Sequence, residues 1–328
     1  MNKIRNISCL LILFFSSELA LGQTNNSSIF RFLDITPSAK SAALGGNHVG
    51  LFDANYSLFY LNPAYLTPTS SKNISATFVN YLADSRIGFA NGAYDIKNIG
   101  TLGIGIRYAG YGDMDELDEN GTNIGSFNAR DLSLTTGLST MLSEKLSAGA
   151  AVDFIHSSYQ NYNSSAITAS GGIYYLDLES NFSAGLSFRN LGDQIDYYNG
   201  FREELPFDVS LGVSKKPENF PFHLHLTLRQ LNDWDLRVPG EFEKPAFGDN
   251  LFRHVIFGGE AAFSENFKFR LGYNRMLHEQ TKTSDSFDLA GVSLGVGLNI
   301  RGVAIDISRS SYSSIGGIVQ ISVSSQLN

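Results

Sequence analysis

The chain has 328 residues, with 24 Lys and Arg set against 32 Asp and Glu for a formal net charge of −8. That acidic balance excludes a nucleic-acid binder, because gripping phosphate draws on an excess of Lys and Arg. Hydrophobic residues make up 43% of the chain, yet after Phe15 no apolar run approaches the ~18 residues a spanning helix needs.

The chain opens on an export signal. Lys3 and Arg5 form a positive stretch, Ile7 to Phe15 an apolar one, and Ala20-Leu21-Gly22 supplies the small-x-small cleavage pattern. Residues 1–22 therefore read as a signal peptide cut between Gly22 and Gln23. Cys9, the single cysteine, lies too early to be a lipoprotein acceptor and leaves with the signal, so the mature chain forms no disulfide or cysteine metal site.

Residues 23–72 lack a clean period and are too few for a core of their own. A helical turn is expected from Ser38, with Pro37 before it and Gly45-Gly46 ending it. Small Ala39, Ala42 and Ala43 let such a turn sit close to surrounding strands. Proline fixes φ and pushes the preceding residue toward extended geometry, so Asn62-Pro63-Ala64 should set the path into the first strand. The natural place for this segment is inside a barrel, as a plug.

From Asn73 to Asn328 the sequence alternates with period two. Leu102, Ile104, Ile106 and Tyr108 share one face, with Thr101, Gly103, Gly105 and Arg107 on the other. Phe222 to Arg229 and Phe267 to Asn274 repeat the scheme. A soluble sandwich alternates in the same way. Here the apolar faces end in Tyr108, Phe154, Tyr175 and Tyr273, as interfacial girdles do, and the polar faces are rich in Gly and Ser. The fold class expected is thus all-β, a transmembrane antiparallel barrel of about 14 strands with an N-terminal plug. Leu226 should face lipid and His225 the lumen, where an added charge should be tolerated.

Connections alternate short and long, as outer-membrane barrels require. Short turns are expected at Ser143-Glu144-Lys145, Leu178-Glu179-Ser180, Ser264-Glu265-Asn266 and Arg301-Gly302. Long links are expected over Gly110 to Asn128, Leu191 to Leu205, Asn232 to Arg253 and Met276 to Asp288. Leu82-Ala83-Asp84 is the one short external link expected. Short turns belong to the periplasmic side, and an even strand count puts both chain ends there. The last strand, Gly317 to Val323, must close on Asn73 to Tyr81, since hydrocarbon leaves no partner for an open edge.

No catalytic, cofactor or metal site is expected. His223 and His225 share a face without a third ligand. Asp113 to Gly121 departs from a calcium loop at its fifth and sixth positions. Asp153 and His156, three apart on a strand, point to opposite faces. Trp234, the sole tryptophan, lies in the longest external link with Arg237, Phe242, Phe247, Pro239 and Pro245. It reads either as part of a protein-contact surface or as a cap at the membrane interface.

Phe32-Leu33, Ser38 to Gly46 with its Leu44-Gly45-Gly46 end, Asp53, and Asn62-Pro63-Ala64 together resemble the opening of the PorV/PorQ family, most like its PorQ members. Asn190-Leu191-Gly192 resembles a strand-end signature of the same family. The resemblance implies a FadL-type barrel of the type IX secretion system, in the outer membrane. It implies PorZ-, PorU- and PorV-like partners in a complex that attaches secreted proteins to the cell surface. A competing expectation is a FadL-like channel for hydrophobic molecules, which needs a continuous apolar path past the plug.

Overall fold

The computed structural model describes residues 28–52, 54, 56–283, 288–312 and 316–327. Residues 1–22, read above as a signal peptide, and Asp53 lie outside them. The wall starts with β1 (Asn73–Asn80), β2 (Arg86–Ile96), β3 (Gly100–Leu117), β4 (Asn123–Ser143) and β5 (Leu146–Tyr159). It continues through β6 (Tyr162–Asp177), β7 (Phe182–Asp196), β8 (Asp208–Lys215), β9 (Phe222–Leu228) and β10 (Val255–Ser264). β11 (Phe267–Asn274), β12 (Val292–Ile300), β13 (Val303–Ser311) and β14 (Gly317–Gln326) complete it. Every neighbour is antiparallel, and β14 closes on β1 from Gln326 opposite Asn73 to Val319 opposite Asn80. Closure leaves no strand edge unpaired, the condition for lying in hydrocarbon.

The period-two reading carries over to the faces. On β3, Thr101, Gly103, Gly105, Arg107 and Ala109 turn inward and are buried, while Ile104, Ile106 and Tyr108 are exposed on the outside. The apolar faces meet no second sheet, so the sandwich alternative does not hold. Leu226 faces outward near mid-wall, whereas Phe263 sits near the short-turn end of β10. Leu226→Arg is expected to lose ~2–4 kcal/mol of barrel stability and Phe263→Arg only ~0–1, because the penalty falls off toward the interfaces. Denaturant titration of the refolded barrels checks this, and equal losses would refute the lipid-face assignment.

Six short links gather at one end: 97–99, 144–145, 178–181, 216–221, 265–266 and 301–302. In the last, Arg301 and Gly302 both take positive φ, 52° and 84°, matching the two-residue turn whose twist suits a hairpin. This is the periplasmic end by the rule for such barrels. The opposite end carries the link 197–207, α2 (Phe247–His254) before β10, and α3 (Arg275–Thr281) after β11.

Two external links differ from expectation. Gly110 to Asn128 is no open loop: past a bulge at Gly110, pairing resumes at Asp113 opposite Asn128 and runs to Leu117 opposite Asn123. The Asp118 carboxylate accepts the amides of Thr122 and Asn120, at 2.8 Å each, and the Thr122 bond foremost holds its carboxyl below the usual range. That side-chain clasp closes a turn where composition suggested a solvated loop. The β5–β6 link is also tight, with Tyr159 paired to Tyr162 and Gln160 at φ 52°.

Fourteen strands enclose a lumen too wide for wall side chains alone to fill. The N-terminal segment fills it. Ser38 precedes α1 (Ala39–Ala43), as the sequence suggested, and 3-10 turns follow at Tyr56–Leu58, Pro63–Tyr65 and Pro68–Ser70. The segment enters at the external end, where the Ile29 amide donates to the Glu204 carbonyl at 3.0 Å. It leaves at the periplasmic end, where the Leu327 amide donates to the Lys72 carbonyl at 2.7 Å. The two ends of the wall, Asn73 and Gln326, thus lie together at the short-turn end and Ile29 at the opposite end, while the chain termini fall outside the described residues.

Candidate functional site: the plug and its seat

The short turns of the plug satisfy part of its backbone internally, and the carbonyls between them need outside donors. The wall supplies them from Ser and Tyr. Ser183 and Ser214 hydroxyls donate to the Gly50 carbonyl at 2.9 and 2.7 Å. Ser187 donates to Leu61, Ser147 to Ala64 and Tyr174 to Leu51, at 2.5, 2.7 and 2.7 Å. Asn62, fully buried, does the most. Its Nδ2 donates to the Val49 carbonyl within the plug (3.0 Å) and to Ile173 in the wall (3.2 Å), while its Oδ1 accepts the Ala64 amide (3.1 Å). Pro63 lacks an N–H, so that carboxamide oxygen is free for the next amide.

Glycine makes the close approach possible. A Cβ on Gly272 would fall on the Leu44 carbonyl carbon and the Gly45 nitrogen. One on Gly212 would lie 2.6 Å from the Gly50 nitrogen. In both places the obstacle is backbone, which no rotamer change relieves. Gly45, at φ +104°, turns the chain here as α1 ends, a conformation that side chains resist.

Above this seat the plug is apolar. Phe32, Leu33 and Phe59 are fully buried against Val79, Ile87, Phe89 and Ile155 of the wall. Buried ion pairs ring the remainder. Arg107 meets Asp153 at 2.5 Å, and its guanidinium lies 5.1 Å from the Tyr60 ring centre. Arg189 meets Asp208, and Arg270 sits between Glu260 and Asp306 at 2.6 and 2.5 Å. Two polar vestibules remain, about 460 Å³ at the external end beside Arg31, Asp34 and Arg229 and about 430 Å³ at the periplasmic end beside Lys40, Lys268 and Asp306. A more apolar cavity of about 340 Å³ lies beside Phe52, Tyr65, Tyr174 and Leu176. Phe32, Leu33 and Phe59 of the plug fill the apolar interior of the barrel.

No family model matches the sequence, and no curated protein matches it. Solved structures do match in three dimensions. The toluene transporter TbuX of Ralstonia pickettii aligns over 92% of this chain and 100% of its own, with 13% identity and a TM-score of 0.56. The Pseudomonas putida toluene transporter TodX aligns over 90% and 99%, with 12% identity and a TM-score of 0.54. A Pseudomonas aeruginosa FadL homologue aligns over 90% and 98%, with 12% identity and a TM-score of 0.51.

The fold is the FadL-type fold.

At such identities the likeness concerns architecture, and the finer resemblance to PorV/PorQ rests on motifs alone. Within the FadL-type barrel, the motif residues separate into three places. Leu44-Gly45-Gly46 sits on β10 and β11, and Asn62-Pro63-Ala64 on β5 to β7. Asn190-Leu191-Gly192 lies within β7 rather than at its end: Asn190, at φ 59°, forms a bulge opposite Ser170 and donates from Nδ2 to the Pro206 carbonyl at 2.9 Å. Asn tolerates that left-handed conformation better than most residues. Trp234, Arg237, Phe242 and Phe247 form no part of the plug seat. Trp234 stacks on His254 with ring centres 4.7 Å apart, Arg237 pairs with Asp235 at 3.3 Å, and Phe242 and Phe247 are exposed.

The burial of His225 argues against the expectation that an added charge there would be tolerated. His225 does face the lumen, but the plug fills the space around it. Its Nδ1 lies 2.7 Å from Ser214 Oγ, and its ring stacks on His223 and sits 6.0 Å from His48 of the plug. Sequence reading also passed over the plug's wall ligands, Ser147, Ser183, Ser187 and Ser214. Their signal was a serine recurring opposite the aliphatic face.

Proposed function

We propose that this chain is an outer-membrane channel for small apolar molecules of monoaromatic size, held closed by its own plug. The observation that carries the reading is the separateness of wall and plug. The wall completes its hydrogen bonding without the plug, whereas the plug depends on serine hydroxyls and glycine gaps. A unit seated in this way can move while the barrel stays intact. The nest now filled by Phe32, Leu33 and Phe59 is the space an apolar guest would take. The FadL-type fold, shared with toluene transporters, supports the substrate class, and the export signal supports the compartment. The test is toluene consumption by a Gram-negative host that lacks such channels and carries a toluene-oxidising enzyme. Expression of this chain should raise the rate several-fold at low toluene, and an unchanged rate would defeat the reading.

A second reading is favoured by the filled lumen together with the opening motif. In it the barrel anchors a surface attachment complex of type IX secretion through PorZ-, PorU- and PorV-like partners. Recovery of a stoichiometric partner from native membranes in mild detergent, without toluene uptake, would select it.

A further inference from the structure

α2 is built inside out. Its polar side chains Asn250, Arg253 and His254 are buried against the protein, while Phe247 and Phe252 are 71% and 63% exposed. The buried side is a polar clamp. Asn250 accepts the Leu236 amide at 3.2 Å and donates to the Trp234 carbonyl. Arg253 donates to the Leu236 carbonyl and to Glu241, both at 2.8 Å, and its Nε donates to Asp249 at 3.2 Å. His254 Nδ1 lies 2.7 Å from the Arg229 carbonyl. The Arg253 hydrogen bond holds the Glu241 carboxyl below the usual range, so the clamp is charged on both sides. In water, a helix that spends its polar face inward and shows phenylalanines outward is the wrong way round.

Its outer face is continuous with the membrane-facing wall. α2 runs into β10 without an intervening residue, and Phe257 on that strand faces lipid. Phe252, Val255 and Tyr273, with Asp249 and Arg275 above them, line one shallow depression of about 260 Å³ on the outside of the barrel. Trp234 extends the same surface, its ring centre 5.8 Å from that of Phe247.

We infer that α2, with Trp234, is an interfacial helix lying in the external lipid leaflet, its Phe247 and Phe252 face in contact with acyl chains. The occupant of this face is lipid because the apolar belt of the barrel wall leads directly into it. Amphipathic helices of this kind settle ~5–10 Å into the boundary between headgroups and chains. A Trp at that level, half apolar and half wet, suits the same boundary.

Trp234 is the only tryptophan of the chain, which makes the test direct. The full barrel is reconstituted in phosphatidylcholine vesicles, either plain or brominated high on the acyl chain. Bromine should quench Trp234 emission roughly twofold, as contact with the upper acyl chains requires. Bromine near the chain's methyl end should quench it less. Moving the probe outward with Trp234→Phe/Phe252→Trp should deepen the quenching, and folded mobility on unheated gels confirms that the variant assembled. Water-like emission without bromine quenching at Trp234 overturns the inference, even if the double variant fails to fold. Shielding of Trp234 from iodide in native membranes but not in plain vesicles would also overturn it, and would assign the face to a protein partner.

Discussion

Replacing Arg189 with Met is expected to destabilise the barrel by about 3–5 kcal/mol, the usual consequence of leaving one member of a buried ion pair alone. Arg189 and Asp208 are only 2% and 3% exposed. They face each other at the last register position that β7 and β8 share, next to the bulge at Asn190. Asp208 also accepts the Gln230 amide at 2.7 Å and the Ser210 hydroxyl at 3.0 Å. Arg229 still acts on the carboxylate from nearby, but neither it nor the neutral donors replace the direct guanidinium contact, so Asp208 would stay buried without its ion-pair partner. The external ends of β7 and β8 should then separate first. Heat-modifiability gels measure the loss as a lower temperature of conversion from the folded to the unfolded band. The double variant Arg189→Met/Asp208→Leu should recover most of it, because removing both charges removes the uncompensated one. If the single variant unfolds where the parent does, the pair holds nothing together.

Gly272→Val is expected to open the barrel without unfolding it. The added Cβ would occupy the place of the Leu44 carbonyl carbon and the Gly45 nitrogen, so the plug must leave its seat on β10 and β11. The wall bonds of Gly272, opposite Gly258 and Ser293, are untouched by a side chain that points into the lumen. In planar bilayers the parent should stay near baseline, while Gly272→Val should give sustained conductance steps. Deleting Phe30 to Pro68 should give steps at least as large, since it removes the occluding mass altogether. Gly88→Val is the matched control: nothing lies within 4 Å of its Cβ, so the channel should stay closed. A Gly272→Val barrel as quiet as the parent would mean that the plug tolerates displacement without unsealing.

The strands were legible because each residue in a transmembrane wall answers to a local demand. Lipid on one side and lumen on the other impose period two on every strand, and Ile104 or Leu226 shows its face without knowledge of any neighbour. The short turn at Arg301-Gly302 and the helical turn after Ser38 were legible for the same reason, since their signals lie within a few residues. Where pairing itself decides, the sequence was ambiguous. Residues 110–128 read as a loop, yet a bulge at Gly110 and the Asp118 clasp let the hairpin continue.

The rest depended on contacts that sequence distance hides. Gly272 looks like any strand glycine until Gly45, more than two hundred positions earlier, is laid across it. Arg189 and Asp208 are unremarkable polar residues until antiparallel register sets them face to face. The orientation of α2 is of the same kind. The sequence marked Asn232 to Arg253 only as a long external link, and the helix over Phe247–His254, with its phenylalanines held outward by the clamp on Trp234, Leu236 and Glu241, exists only in the folded chain. Composition and periodicity thus determined that the chain is a membrane barrel with something inside it. Which residues seat the plug, and whether the lumen is open, follow from backbone-to-backbone approach, which exists only once the barrel has closed.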